Sequence, residues 1–189
     1  RVKVADMQGE KRKEMEMGFE ANISRLQTKA NNLGLSTMDV LDIRCWNVPG
    51  AAVETIMEEI KKNKPMLIIG GMSGSSFSKL RNLKNYSDDD DKRDKAYLQG
   101  VVGHYRTQIG EGRFFLHGDP IGSAAWRTSE MQALRKTPGI TTVEIDLCMF
   151  ASGRQVPSKG PMRFVTNSST LERDLKKRCD RQQDHRGGG

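Results

Sequence analysis

Aromatic residues make up only 6% of this 189-residue chain, and it has just three histidines and three cysteines. The cysteines, Cys45, Cys148 and Cys179, are far apart and odd in number. That argues against a disulfide framework and for a reducing, intracellular setting, a mitochondrion being one compatible compartment. No apolar run is long enough to cross a membrane. No signal-peptide pattern is present. The chain opens on Arg1 rather than Met, which implies a segment upstream that carried any targeting address.

What is present is charge. Charged residues make up 29%, the formal net charge is +7, and methionine is frequent at ten. The excess is uneven. Residues 154–189 hold nine Lys and Arg against four Asp and Glu, a net of +5. A basic balance of this kind favours an anionic partner such as nucleic acid.

The order of elements follows from periodicity. Residues 1–18 are of mixed charge and read as an exposed arm. Phe19, Ile23, Leu26, Ala30 and Leu33 form one helical stripe, and Gly34 suits its C-terminal end. Met38, Val40, Leu41 and Ile43 suggest a first strand. Pro49 opens a second helix whose packed face is Val53, Ile56, Met57 and Ile60. Asp88, Asp89, Asp90 and Asp91 open a long helix with a stripe of Leu98, Val101, Val102, Tyr105 and Ile109. A metal cluster is the sharper reading of the four aspartates, and a dipole-favoured helix start the plainer one. RFFLH at 113–117 is a strand. Ser129 with Gln132, and Ser169 with Glu172, read as capping boxes of two more helices, the second reaching Arg178. Strands at 142–147 and 162–166 flank a basic loop. Residues 179–189 form a polar tail.

The chain is organised around KPMLIIGGMSGSSFS, residues 64–78. Four apolar residues, Met66, Leu67, Ile68 and Ile69, stop at Gly70 and Gly71. The run reads as a strand buried on both faces, central in its sheet, so that Ile68→Asp unfolds the domain. Strands separated by helices imply parallel pairing. The expected fold is α/β, a Rossmann-like three-layer sandwich with a mostly parallel central sheet over residues 19–178. A glycine-serine loop at the carboxyl end of such a strand is where open α/β sheets hold ligands. The loop has no Walker lysine, and its glycines do not fit a nucleophile elbow. An anion on its backbone N–H groups is one reading. His117, at a strand end, reads either as a hydrogen-bonded core residue or as a catalytic one. Trp46 and Trp126 read as packing residues or as base-stacking platforms.

The ordered set of motifs resembles a methyltransferase-like domain of retroelement polyproteins in dinoflagellate and related protist genomes. Its strand and loop are similar to those of cytosine-5 DNA methyltransferases. The matching residues are Lys64-Pro65, Phe77-Ser78, Asn82-Leu83, Gly112-Arg113, Phe115-Leu116-His117, Pro120, Trp126, Asp146 with Cys148, Thr166-Asn167, and Arg178-Cys179-Asp180 with His185. The departures fall on the chemistry. Cytosine methylation needs a thiolate nucleophile and a carboxylic acid. The family's cysteine aligns with Gly74 and its glutamate with Gly118, while Met72 and Asp119 replace a proline and a histidine. Arg181 and Gln183 likewise replace a glycine and a histidine of the tail.

The resemblance therefore implies a vestigial site at Gly70, Gly71, Ser73, Gly74, Ser75, His117, Gly118 and Asp119, with no catalytic residue, cofactor or metal. The expected function is structural or RNA-binding, in a ribonucleoprotein such as a ribosome or mitoribosome, with RNA and neighbouring proteins as partners and no membrane. Arg154, Lys159, Arg163, Arg173, Lys176, Lys177, Arg178 and Arg181 are the expected nucleic-acid contacts. Two other readings stand beside it: a divergent S-adenosylmethionine-dependent nucleic-acid methyltransferase, and a mobile-element domain with no settled host function.

Overall fold

The computed structural model describes residues 27–37, 49–71, 88–150 and 161–179. The chain divides into two units, residues 1–42 and 43–189. In the first, residues 27–32 are helical (α1). Gly34 ends this helix at φ +76°. Its N–H donates to the Asn31 carbonyl at 2.9 Å, and the Leu35 N–H donates to the Ala30 carbonyl at 3.0 Å. Those bonds satisfy two terminal carbonyls through a left-handed residue, a conformation glycine adopts without a Cβ penalty. The first strand expected around Val40 lies outside the described residues.

The second unit runs α2 (Pro49–Asn63), β1 (Leu67–Gly71), α3 (Asp88–Gly110), β2 (Phe114–Pro120), a 3-10 turn (Ala124–Arg127), α4 (Ser129–Arg135), β3 (Thr141–Asp146), a second 3-10 turn (Leu147–Phe150), β4 (Pro161–Thr166) and α5 (Ser169–Leu175). α2 starts at Pro49, whose fixed φ and missing N–H suit a first turn, and it buries Ile56 and Ile60 one turn apart. α3 buries Leu98, Val101, Val102 and Tyr105 of the expected stripe, with Ile109 partly buried against the same core. The caps of α4 and α5 sit one residue earlier than expected. The Thr128 hydroxyl accepts from the Met131 N–H at 3.4 Å, and the Ser168 hydroxyl from the Leu171 N–H at 3.3 Å. Both sites carry two adjacent hydroxyl residues, and the local pattern does not choose between them. α5 also stops at Leu175, short of Arg178.

The sheet is mixed, not mostly parallel, and the Rossmann-like expectation is overturned. Its order is β1-β2-β4-β3. β1 pairs with β2 in parallel, while β4 is antiparallel to both β2 and β3. The crossover rule holds where a helix intervenes, as α3 does between β1 and β2. Among the described residues no α-helix separates β3 from β4. The chain returns antiparallel there, and β4 inserts between β2 and β3.

The central place assigned to residues 66–69 is also overturned. β1 is an edge strand among the described residues, and the inner strands are β2 and β4. Phe115, His117, Val165 and Thr166 are fully buried there. One face of the sheet is covered by α3, the first 3-10 turn and α4. Tyr105, Trp126, Met131 and Leu134 pack with Phe115 and Val165 in a single core. Tyr105 stacks on Phe115 with centroids 4.5 Å apart. Ile68 joins this core from β1. Its neighbours point the other way, and Leu67 and Ile69 are 36% and 53% exposed, beside Phe114 at 37%. An unbroken apolar run therefore marks burial on one face only. Ile69→Lys should shift stability by less than about 0.5 kcal/mol, as surface changes do. Ile68→Asp should cost about 2 kcal/mol or more, because it places a carboxylate against the core. Equal thermal melts for the two variants would contradict this assignment of faces.

Candidate functional site

Parallel pairing brings together two stretches that are far apart in sequence. Gly70 lies opposite His117, and Gly71 opposite Gly118. The expected site residues Gly70, Gly71, His117, Gly118 and Asp119 thus meet at the carboxyl ends of β1 and β2. Ser73, Gly74 and Ser75 lie outside the described residues.

Alternation along β2 puts Phe115, His117 and Asp119 on the face toward α3, and Gly118 on the opposite face. Each glycine is closely approached. A Cβ on Gly70 would overlap the Tyr105 hydroxyl, and one on Gly118 would overlap the Phe164 ring. A Cβ on Gly71 would come within 2.7 Å of the Gly118 carbonyl oxygen. The Tyr97 hydroxyl donates to the Gly71 carbonyl at 3.3 Å. In the described part of the site, aromatic side chains therefore fill the space beside Gly70 and Gly118.

His117 is fully buried. Its Nδ1 shares a 3.0 Å hydrogen bond with the Tyr105 hydroxyl. Its ring meets Trp126 edge to face, with centroids 5.4 Å apart. Burial pushes His117 down to about 4, so the ring is neutral near pH 7. Burial holds the Tyr105 phenol well above its usual range. The pair is thus a neutral hydrogen bond within the core. Asp119 is buried beside it, and burial pushes its carboxyl up to about 7, against a hydrogen bond from Ser123 that lowers it. His117 Nε2 and Asp119 Oδ2 have no protein partner. Trp126 is held by its indole N–H, which donates to the Pro120 carbonyl at 2.8 Å. The cluster can store a proton at Asp119. Its histidine has no exposed surface.

The cationic residues fare unequally. Arg163 is the register partner of Asp119, yet its guanidinium donates to Glu144 at 2.6 and 3.1 Å and lies 5.5 Å over the Trp126 ring. Arg178 donates to the other Glu144 oxygen at 2.6 Å and lies 3.6 Å from Asp146. The Arg163 hydrogen bond, first among several causes, lowers the Glu144 carboxyl. Arg163 thus ties β4 to β3, and Arg178 ties the segment that follows α5 to β3. Arg173 pairs with Asp174 at the surface. Lys176 and Lys177 are exposed. Because α5 ends before them, they do not share a helix face with Arg173. Arg154, Lys159 and Arg181 lie outside the described residues.

Three contacts escaped the sequence reading. They are the Tyr105–His117 bond, the double hold on Glu144, and a side-chain hydrogen bond between Cys148 and Cys179. The first had a signal, since His117 and Tyr105 each lie on a recognisable buried face. The other two join residues 34 and 31 positions apart and left no local trace. Among the described residues no group of three or more His, Cys, Asp or Glu is arranged to hold a metal ion. No described helix is long and apolar enough to cross a membrane. No protein-family model, curated protein or solved structure matches this chain.

Proposed function

We propose that this chain is a binding domain without catalysis, of retroelement methyltransferase-like descent, which contacts RNA phosphates and protein neighbours in a ribonucleoprotein. The observation that carries the reading is the packing at Gly118. The Phe164 ring stands where any side chain at that position would begin, so the place of the resembled family's acid is taken by hydrocarbon. The opposite face supports the same reading, because the Tyr105 hydroxyl occupies the space beside Gly70. Among the described residues the mixed sheet also lacks the run of parallel strands that builds a nucleotide crevice in doubly wound folds, which weighs against the methyltransferase alternative.

The basic end of the chain supports the RNA part. Lys176 and Lys177 are exposed, in a stretch whose net charge is +5 by nine basic residues less four acidic ones over 154–189. Phosphate contacts of this kind release counterions and read no bases. Binding of a single-stranded RNA, followed by anisotropy, should weaken steeply with salt. Lys176→Gln with Lys177→Gln should lower the log–log salt slope by about 1.4, at ~0.7 for each phosphate that is no longer neutralised. Arg178 is left intact in this test because it holds Glu144 and Asp146. An unchanged slope and affinity would place the interface elsewhere. Methyl transfer to DNA or RNA by the purified chain would defeat the non-catalytic reading.

A further inference from the structure

Cys148 and Cys179 meet although 31 positions separate them. Cys148 lies buried in the 3-10 turn that ends β3. Cys179 lies, half-buried, in the segment after α5. Two backbone anchors lay that segment along the end of β3. The Asp146 N–H donates to the Lys177 carbonyl at 3.4 Å, and the Cys179 N–H donates to Asp146 Oδ2 at 2.9 Å. Arg178, between them in sequence, is held by Glu144 and Asp146. The two side chains are in hydrogen-bond contact. These contacts, centred on Asp146, lay the segment that carries Cys179 against the end of β3, two residues before Cys148.

We propose that Cys148 and Cys179 form a reversible intramolecular disulfide, a thiol-oxidation site that fastens the segment after α5 to the end of β3. The oxidant is a low-molecular-weight disulfide. Cys179, the more exposed thiol, gives its proton to water, and its thiolate attacks one sulfur of that disulfide. The S–S bond breaks, and the departing thiolate takes up a proton. The Cys148 thiolate then attacks the Cys179 sulfur and expels the second small thiol. Two cysteine thiols are oxidised, and one small disulfide is reduced to two thiols. Burial first, then the neighbouring Cys179 and Asp146, push the Cys148 thiol up. The closing step should therefore quicken as pH rises through the thiol range.

This inference stands apart from RNA binding and is tested without it. The full chain is treated with oxidised glutathione, alkylated and mapped by peptide mass, beside a Cys179→Ser variant. The expected result is loss of two alkylatable thiols and one linked peptide containing Cys148 and Cys179. The melting temperature should rise by on the order of 10 °C, and dithiothreitol should reverse the rise. The Cys179→Ser chain should show neither change. A lasting mixed disulfide on Cys179, a link to Cys45, or thiols that no oxidant alters would overturn the proposal. So would zinc that shields both thiols in the purified protein until a chelator removes it.

Discussion

Gly70→Ala should destabilise the domain by about 2–3 kcal/mol, the upper range for forcing one methyl into a packed core. The new Cβ would overlap the Tyr105 hydroxyl. That hydroxyl cannot swing away cheaply. Tyr105 is 1% exposed, its ring is stacked on Phe115, and its oxygen is bonded to His117. Tyr105→Phe by itself should cost about 1 kcal/mol, because it strands the His117 ring nitrogen. In the double variant the next obstacle is the ring carbon, 3.2 Å from the new Cβ. That is tight but within what a small shift relieves. The two costs should therefore not add, and urea denaturation should show a coupling of at least ~1.5 kcal/mol. Strict additivity would mean that the tyrosine does not fill the space beside Gly70.

The second large effect is on the dependence of stability on pH. His117 titrates at about 4 in the fold, against 6.5 when exposed. The unfolded chain therefore binds the proton more readily, and stability falls as pH drops from 6.5 to 4. His104 is shifted the same way to about 4, also by burial, and adds to the same fall. Asp119 works in the opposite sense. Its carboxyl sits at about 7 in the fold, against 3.8, so its contribution is full below 3.8 and is lost as pH rises through 7. Each group changes the slope by about 1.4 kcal/mol per pH unit. In the native chain Asp119 offsets one of the two histidines, so the profile between pH 4 and 6.5 is shallower than the histidines alone would make it. Asp119→Asn removes the offset and should steepen it by about 1.4 kcal/mol per pH unit. At pH 8 the same variant should be more stable than the parent by about 2 kcal/mol, because it no longer buries an ionised carboxylate. Parallel stability profiles for the two proteins from pH 4 to 8 would contradict the burial of Asp119.

Both predictions turn on positions that the sequence marked for a different reason. Gly70, His117 and Asp119 stood out as remnants of a reactive site. In the fold their roles are close approach, a buried hydrogen bond and a stored proton. The glycine is legible as a requirement for space, but its neighbour Tyr105 lies 35 residues on, in a helix. Gln108 shows the same limit. The helical stripe of α3 contained no polar residue, yet Gln108 is fully buried. Its amide donates at 2.9 Å to both the Pro65 and Phe114 carbonyls, and its oxygen accepts from the Arg113 guanidinium at 2.7 Å. A glutamine on a helix reads as exposed until the partners that satisfy it are known.

The amino-acid sequence by itself determined what depends on neighbours within a few residues. It placed the C-terminal end of α1, both ends and the inward faces of α2 and α3, and the alternation of Val143 and Ile145 along β3, whereas Leu33 of the expected α1 stripe is 78% exposed. These follow from backbone geometry and from side-chain period, which act locally. Only the tertiary structure decided the strand order, the edge position of β1, and the insertion of β4 between β2 and β3. It alone decided which carboxylate holds Arg163 and Arg178, and that Cys148 faces Cys179. Each of these is a pairing across tens of residues. Its free energy comes from surfaces that exist only after the chain has closed on itself, so no window of sequence contains it.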